Sequence, residues 1–200
     1  MERISGIAKL IGWPGLVSLL SLFAAWSAIC LLLAGNYRFA ILSSVAAFLL
    51  DTIDGFLARK LGVVSEFGRQ LDGMIDAVNY SVFGALVVSQ VLIPNALGFV
   101  VAFFMLAFGI IRLILFNING YTTDGETLYY LGVVTPHLTL AVALLAFVNK
   151  IFGLNEWLMA LVLMLLAIGQ LSTIKTRKTG AIVFWLPMSI AIAVGALLWF

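Results

Sequence analysis

Four aspartates lie close together in a chain that is otherwise strongly apolar. Asp51 and Asp54 are three residues apart, and Asp72 and Asp76 are four apart. On helices, each spacing puts both carboxylates on one face. A charged side chain at membrane depth costs about 3 kcal/mol on insertion scales, so these side chains need a reason to be there. Carboxylates without His or Cys select hard cations such as Mg²⁺, Mn²⁺ or Ca²⁺, and two such pairs predict a site for two ions.

The residues beside the aspartates indicate what such a site would bind. Two metal ions about 4 Å apart are the usual clamp for in-line phosphoryl displacement. Gly55, Ala58 and Gly68 are small enough to leave room for a ligand, and Arg59 offers a fork that suits a phosphate. The residues alone therefore predict a metal-dependent site for a phosphate ester or diphosphate. The alternative is that the carboxylates are caps and loop charges at span ends, but Asp51 lies about two turns inside Arg59.

The composition predicts that these residues are carried by membrane-spanning helices. The chain has 200 residues, of which 64% are hydrophobic and 10% charged, whereas soluble domains are nearer half and a quarter. We expect an all-α, polytopic transmembrane helix bundle forming one domain over 1–200, in which the mildly amphipathic segment 1–12 fits an interfacial helix. About seven spans are predicted: 14–34, 39–58, from the loop around Gly68 to 93, from the turn at Pro94 to 117, 129–148, 155–173 and 181–200.

The basic residues predict how the bundle is oriented. All but two of the 11 Lys and Arg residues, the exceptions being Arg38 and Lys150, fall on one side of a seven-span arrangement. Basic residues mark the cytoplasmic side. The four aspartates fall on that side as well, so we expect the site at the cytoplasmic surface of the inner membrane.

A family resemblance extends this interpretation. The chain reads D-x-x-D-G-x-x-A-R from Asp51 to Arg59 and, eight residues later, G-x-x-x-D-x-x-x-D from Gly68 to Asp76. This resembles the signature of the CDP-alcohol phosphotransferases, which displace CMP from a CDP-activated donor with an alcohol and have a six-helix core. The resemblance implies that the four aspartates bind two Mg²⁺ or Mn²⁺ ions, that Asp76 also acts as general base on the acceptor hydroxyl, and that the chain is a homodimer without a nucleic-acid partner. It implies a nucleotide pocket lined by Gly55, Ala58, Arg59 and Gly68.

Further stretches bear on the acceptor alcohol. The segments 79–85 (N-Y-S-V-F-G-A), 112–117 (R-L-I-L-F-N), 132–136 (G-V-V-T-P) and 171–175 (L-S-T-I-K) resemble those of phosphatidylserine synthases. This implies CDP-diacylglycerol as donor and serine as acceptor. Leu115, Val134 and Asn79 depart from that pattern, which leaves inositol phosphate, glycerol phosphate, choline or another alcohol open. The D-G-M-I-D-A run after Leu71 lacks the proline and lysine typical of phosphatidylglycerol-phosphate synthases.

Two polar residues near the end of the fourth span are candidates for the acceptor site. Arg112 either snorkels to the interface or binds an anion in the cavity. Asn117 follows five residues later on the same side, which favours an anion, so Arg112 and Asn117 are predicted to bind the acceptor, with Arg112 holding the serine carboxylate. A different class, a divalent-cation transporter, would also use four carboxylates. Their position at one surface, with no paired broken helices in two halves, favours the enzyme.

Overall fold

The computed structural model describes residues 2–124 and 127–177. Five helices are long and apolar enough to cross a membrane, and a shorter apolar helix follows them. The chain is thus a multi-pass helix bundle, as predicted, while the predicted span at 181–200 lies outside the described residues. The helices are α1 (Glu2–Leu33), α2 (Tyr37–Lys60), α3 (Glu66–Leu92), α4 (Ala96–Asn119), α5 (Thr135–Phe152) and α6 (Glu156–Gly169).

The amino-terminal segment joins the first span across a kink. Gly12 has a non-helical backbone (φ 56°, ψ −172°) inside α1, and Pro14 follows it. A proline inside a helix removes one backbone hydrogen bond and clashes with the preceding turn, so a kink here is expected. The candidate span begins at Ile11, so the predicted boundary near residue 12 marks a change of direction within a helix.

Helix α3 is the centre of the bundle. In its most apolar stretch 56% of the residues are buried, against 17 to 33% in the other candidate spans. It is regular from Glu66 to Asp76, but Ala77–Val82 and Val88–Leu92 are π-helical. A π-helical turn inserts an extra residue and rotates the following side chains, and such turns recur at functional sites. The first of them begins directly after Asp76.

Short polar turns set the ends of the helices. Asn95 caps α4 by accepting from Leu97 N and Gly98 N, and its own Nδ2 donates to Glu156 Oε2 over 2.7 Å. This contact joins the start of α4 to the start of α6. The ends of α2, α4 and α6 and the starts of α3 and α5 therefore lie on the opposite side, which we call the aspartate side.

The predicted fifth and sixth spans need correction on the aspartate side. The fifth was expected at 129–148, but β2 (Thr127–Leu131) pairs antiparallel with β1 (Thr122–Asp124) and β3 (Lys175–Arg177), and the helix runs from Thr135 to Phe152. Tyr129 and Tyr130 are residues that favour strands, and Gly132 turns the chain with φ +74°. The sixth was expected at 155–173, but α6 ends at Gly169 because the chain then turns toward β3.

Candidate active site

Three of the predicted ligands converge where α2 ends and α3 begins. Carboxylate oxygens of Asp51, Asp54 and Asp72 lie within 4.8 Å of one another. Asp54 is buried, and Asp51 and Asp72 are half-buried. The convergence arises because α2 and α3 are joined by a short turn. The cap of α3, in which Ser65 Oγ accepts from Gly68 N over 3.0 Å, starts the helix nearly two turns before Asp72. The three-residue spacing of Asp51 and Asp54 on α2, together with this turn, brings the three carboxylates into one cluster.

Asp76 adjoins this cluster but is not one of the three. Its carboxyl lies against that of Asp51, one turn deeper into the bundle than Asp72. Tyr80, on the first π-helical turn, donates from its hydroxyl to Asp51 Oδ2 over 3.2 Å. Tyr80 was not predicted from the sequence. Its signal was its position four residues after Asp76, on the same face of a helix.

The donor set suits a hard cation. Within the described part of the chain, the buried atoms Asp51 Oδ1, Asp54 Oδ2 and Asp76 Oδ1 find no hydrogen-bond partner. Ionised carboxylates are acceptors only and repel one another at this range, so their oxygens call for a cation. Oxygen ligands without nitrogen or sulfur fit Mg²⁺ or Mn²⁺. The residues present therefore fit the predicted metal centre.

The four residues predicted to line a nucleotide pocket do not all lie beside the aspartates. Arg59 folds back so that a Cβ added to Gly55 would lie 3.4 Å from Arg59 Nη1, and its charge acts on Asp54. Ala58 is half-buried one turn after Asp54. Gly68 is exposed, and the nearest neighbour of an added Cβ would be Ser65 Oγ at 3.2 Å. Arg59 and Gly55 are thus brought to the aspartates, whereas the contact of Gly68 is with the helix cap.

Arg112 lies inside the bundle on the same side. Its side chain is 5% exposed, and its Nη1 donates to Thr135 Oγ1 over 3.3 Å. Its guanidinium carbon lies 5.5 Å from the centre of the Phe116 ring and 5.9 Å from that of Tyr130, within the range of cation–π attraction. Its charge acts on Asp76. Arg112 therefore faces the interior near the aspartates and does not snorkel.

The β-sheet supplies part of this enclosure. The ring of Tyr130 lies 5.1 Å from that of Tyr121, and their hydroxyls are 3.4 Å apart. Burial and the neighbouring Tyr121 raise the pKa of Tyr130. Tyr130 and Thr135 were not predicted as site residues, because both fell within the predicted fifth span at 129–148. Their contact with Arg112 depends on the fold of the hairpin.

Asn117 packs against α3 beside the cluster. A Cβ added to Gly73 would lie 2.6 Å from Asn117 Nδ2, so this glycine lets α4 approach α3 closely next to Asp72. The two predicted acceptor residues are therefore both at the aspartate side, on the helix that faces α3. The two residues have different neighbours: Arg112 contacts Thr135, and Asn117 lies against Gly73.

The comparisons with known proteins identify a family and several relatives. The family model described as CDP-alcohol phosphatidyltransferase matches residues 12–168. CDP-diacylglycerol–serine O-phosphatidyltransferase of Helicobacter pylori (strain ATCC 700392 / 26695) is 28% identical over 171 residues, covering 82% of this chain and 70% of the relative. The protein of the same name from Mycobacterium leprae is 30% identical over 148 residues, covering 72% of this chain and 49% of the relative.

An archaeal relative with a different name also matches. Archaetidylserine synthase of Methanothermobacter thermautotrophicus is 28% identical over 115 residues, covering 56% of this chain and 49% of the relative. The chain thus spans about half the length of two of these relatives. The stretch matched by the family model, 12–168, is the part of the chain that carries the four aspartates, Arg112 and Thr135.

Proposed function

The chain belongs to the CDP-alcohol phosphatidyltransferase family and is therefore a transferase, and we propose that it transfers the phosphatidyl group of CDP-diacylglycerol to the hydroxyl of L-serine, releasing CMP and forming phosphatidylserine. The observation that carries this proposal is the convergence of Asp51, Asp54 and Asp72 beside Asp76, next to the buried guanidinium of Arg112. The names of the relatives, which contain serine or archaetidylserine, support serine as acceptor.

The donor would bind at the carboxylate cluster. Asp51, Asp54, Asp72 and Asp76 would hold two Mg²⁺ or Mn²⁺ ions, whose chemistry is to offset negative charge on the diphosphate. Arg59, which already lies over Gly55, would donate to a phosphate oxygen. The remaining proposed residues of the nucleotide pocket are Gly55, Ala58 and Gly68.

The acceptor would bind between Asp76 and Arg112. Asp76 accepts the proton of the serine hydroxyl, and the hydroxyl oxygen attacks the phosphorus on the lipid side of the diphosphate. The bond from that phosphorus to the bridging oxygen breaks, and CMP leaves with the electron pair. Arg112 would pair with the serine carboxylate, with Asn117 at the edge of the pocket, because a buried guanidinium needs an anionic partner. Arg112 is 5% exposed and Asp76 Oδ1 is buried, which limits the access of water to this step.

The location of the reaction follows from the same features. We propose that the aspartate side faces the cytoplasm of the inner membrane, since most of the Lys and Arg residues fall on that side of the predicted topology. The lipid donor then enters from the bilayer while serine enters from water. A homodimer is part of the proposal through the family resemblance, and nucleic acid has no role in it.

The test is release of CMP by purified protein in lipid nanodiscs. CDP-diacylglycerol, Mn²⁺ or Mg²⁺ and one acceptor at a time are supplied, the acceptors being serine, inositol phosphate, glycerol phosphate and choline. We expect CMP release with serine and with none of the other three acceptors. The lipid product should be phosphatidylserine. Release with another acceptor would refute serine as the substrate while keeping the reaction, and metal flux into liposomes without CMP release would support the transporter alternative.

A further inference from the structure

Buried polar side chains from α3 and from the end of α6 meet at Gly109 on α4, three residues before Arg112. They are Ser81 on α3 and Gln170 at the end of α6. A Cβ added to Gly109 would lie 2.5 Å from Ser81 Oγ and 3.6 Å from Gln170 Oε1. Ser81 is 5% exposed and Gln170 is 2% exposed. The absence of a side chain at residue 109 is therefore what lets the hydroxyl and the carboxamide approach each other in the interior.

These polar groups are not satisfied by their neighbours. Ser81 Oγ and both polar atoms of the Gln170 carboxamide have no hydrogen-bond partner among residues 2–124 and 127–177. The same holds for both amide atoms of Asn79, whose side chain is 1% exposed. Leaving such groups buried and unpaired costs about 1–3 kcal/mol each, and buried polar groups in folded proteins are nearly always paired. These three residues, which we call the amide pocket (Asn79, Ser81, Gln170), therefore offer unpaired donors and acceptors to a polar ligand.

The residues of the amide pocket lie on or against the same helices, α3 and α4, as the proposed acceptor residues. Gly109 and Arg112 are three residues apart on α4, so they share a face. Asn79 is three residues after Asp76 on α3. The backbone oxygen of Gln170 would lie 2.3 Å from a Cβ on Gly132, three residues before Thr135, which accepts from Arg112. The amide pocket thus lies within about a turn, along α3 and α4, of the carboxylate and the guanidinium that frame the proposed reaction.

The charges of this region select the kind of ligand. Among the buried residues that the structure describes, Arg112 is the one basic side chain. A phosphate-bearing acceptor would bring about two negative charges into the interior, and at Leu115 the sequence offers an exposed apolar side chain in place of a second cation. One guanidinium beside neutral hydroxyl and amide oxygens suits a small zwitterion, because the carboxylate takes the guanidinium and the ammonium takes the oxygens.

We infer that Ser81 and Gln170 bind the ammonium group of an amino-acid acceptor whose carboxylate is held by Arg112. This inference rests on the proposed function and adds to it the residues that distinguish an amino acid from a hydroxy acid. Ser81 Oγ and the Gln170 carboxamide oxygen accept hydrogen bonds from the ammonium, and Gly109 lets the two side chains approach each other. Ser81 and Gln170 would both be specificity residues that touch the acceptor.

The experiment compares serine with an analogue that lacks the ammonium group. The KM for serine and the inhibition constant of 3-hydroxypropionate against serine are measured for the wild type, Gln170→Leu and Ser81→Ala in nanodiscs. We expect each substitution to raise the KM for serine about tenfold, since a hydrogen bond to a charged group is lost, while the inhibition constant of 3-hydroxypropionate and the KM for CDP-diacylglycerol stay unchanged. Ser81→Ala removes one atom and serves as the test if Gln170→Leu does not fold.

Two substitutions elsewhere in the chain serve as matched controls. Gln90→Leu and Ser89→Ala change the same residue types at positions outside the amide pocket, where Gln90 is exposed and Ser89 Oγ bonds to Leu86 O. They should leave the KM for serine and the inhibition constant of 3-hydroxypropionate unchanged.

Equal losses of affinity for serine and for 3-hydroxypropionate in Gln170→Leu or Ser81→Ala would overturn the inference, because they would mean that the residue has only a packing role. A wild type without serine-dependent CMP release would overturn the proposed function together with it.

Discussion

The hydroxyl of Tyr80 donates to Asp51 Oδ2 over 3.2 Å and so connects α3 to α2 across the aspartate cluster. The bond occupies one carboxylate oxygen and leaves Asp51 Oδ1 facing the interior, where it has no partner among the described residues. Tyr80 itself is held by packing, since its side chain is 5% exposed and its ring meets that of Phe48 edge-on at 6.3 Å. We interpret Tyr80 as a positioning residue that fixes the orientation of one proposed metal ligand.

Tyr80→Phe should therefore weaken activation by metal more than it weakens the fold. Loss of a hydrogen bond to a charged group is worth about 1.5–3 kcal/mol, so the Mg²⁺ concentration for half-maximal CMP release should rise at least about tenfold. Tyr37→Phe, a half-buried tyrosine at the start of α2 on the other side of the bundle, is the control. An unchanged Mg²⁺ dependence in Tyr80→Phe would show that Asp51 keeps its orientation without the bond.

Asp54→Asn should separate repulsion within the cluster from metal binding. Three carboxylates within 4.8 Å repel one another without a cation. Removing one charge should raise the Tm measured in EDTA by about 2–4 °C, the shift that 1 kcal/mol gives in a chain of this size. It should also abolish the rise in Tm on adding Mg²⁺ and lower kcat at least about 100-fold.

The control for this prediction is Glu66→Gln. Glu66 is an exposed carboxylate in the first turn of α3, away from the cluster. Its conversion to the amide should leave the Mg²⁺-induced shift in Tm intact. The prediction would be wrong if Asp54→Asn and the wild type gained the same Tm from Mg²⁺.

Arg112→Lys should impair the acceptor and spare the donor. A lysine keeps the charge but loses the planar fork that donates to Thr135 while lying against Phe116 and Tyr130. We expect kcat/KM for serine to fall about 100-fold, with the KM for CDP-diacylglycerol unchanged, as measured by CMP release. Arg38→Lys, on the opposite side of the bundle, should have no effect. Equal changes in the constants for both substrates would contradict a specific role with the acceptor.

Gly132→Ala should destabilise the protein severely. Its Cβ would lie 2.3 Å from the backbone oxygen of Gln170, and its φ of +74° is unfavourable for alanine. Gly35→Ala has the same conformational problem, with φ +75°, but the structure describes no heavy atom within 4 Å of the added Cβ. Gly35→Ala should therefore cost about 1 kcal/mol, visible as a small drop in Tm. Gly132→Ala should fail to yield folded protein in size-exclusion chromatography, and equal Tm values for the two variants would refute the steric argument.

The sequence anticipated the aspartate pairs because their geometry is local. Spacings of three and four residues put the members of a pair on one helix face whatever the helix packs against. The sequence did not indicate that Asp51, Asp54 and Asp72 would come closest together, with Asp76 against Asp51. That arrangement depends on the crossing of α2 and α3 and on the π-helical turn after Asp76, and neither is encoded in a periodic pattern.

The error at the fifth span has a related cause. Hydropathy adds up apolar residues along the chain and so joined Tyr129, Tyr130 and Leu131 to the helix that follows. Their strand forms because Leu131 pairs with Lys175 and Gly132 N donates to Ile174 O, over 40 residues away. A pairing between distant segments leaves no signal in a local window of the sequence.

The sequence by itself determined the class of fold, most of the spans and the acidic signature, since membrane burial and helix faces follow from the order of residue types along a few turns. Only the tertiary structure decided that Arg112 is enclosed by Phe116, Tyr130 and Thr135, and that Ser81 and Gln170 meet at Gly109. The physical reason is that these contacts join side chains from separate elements. Their distances depend on how closely the helices and the hairpin pack, which small residues such as Gly73, Gly109 and Gly132 permit.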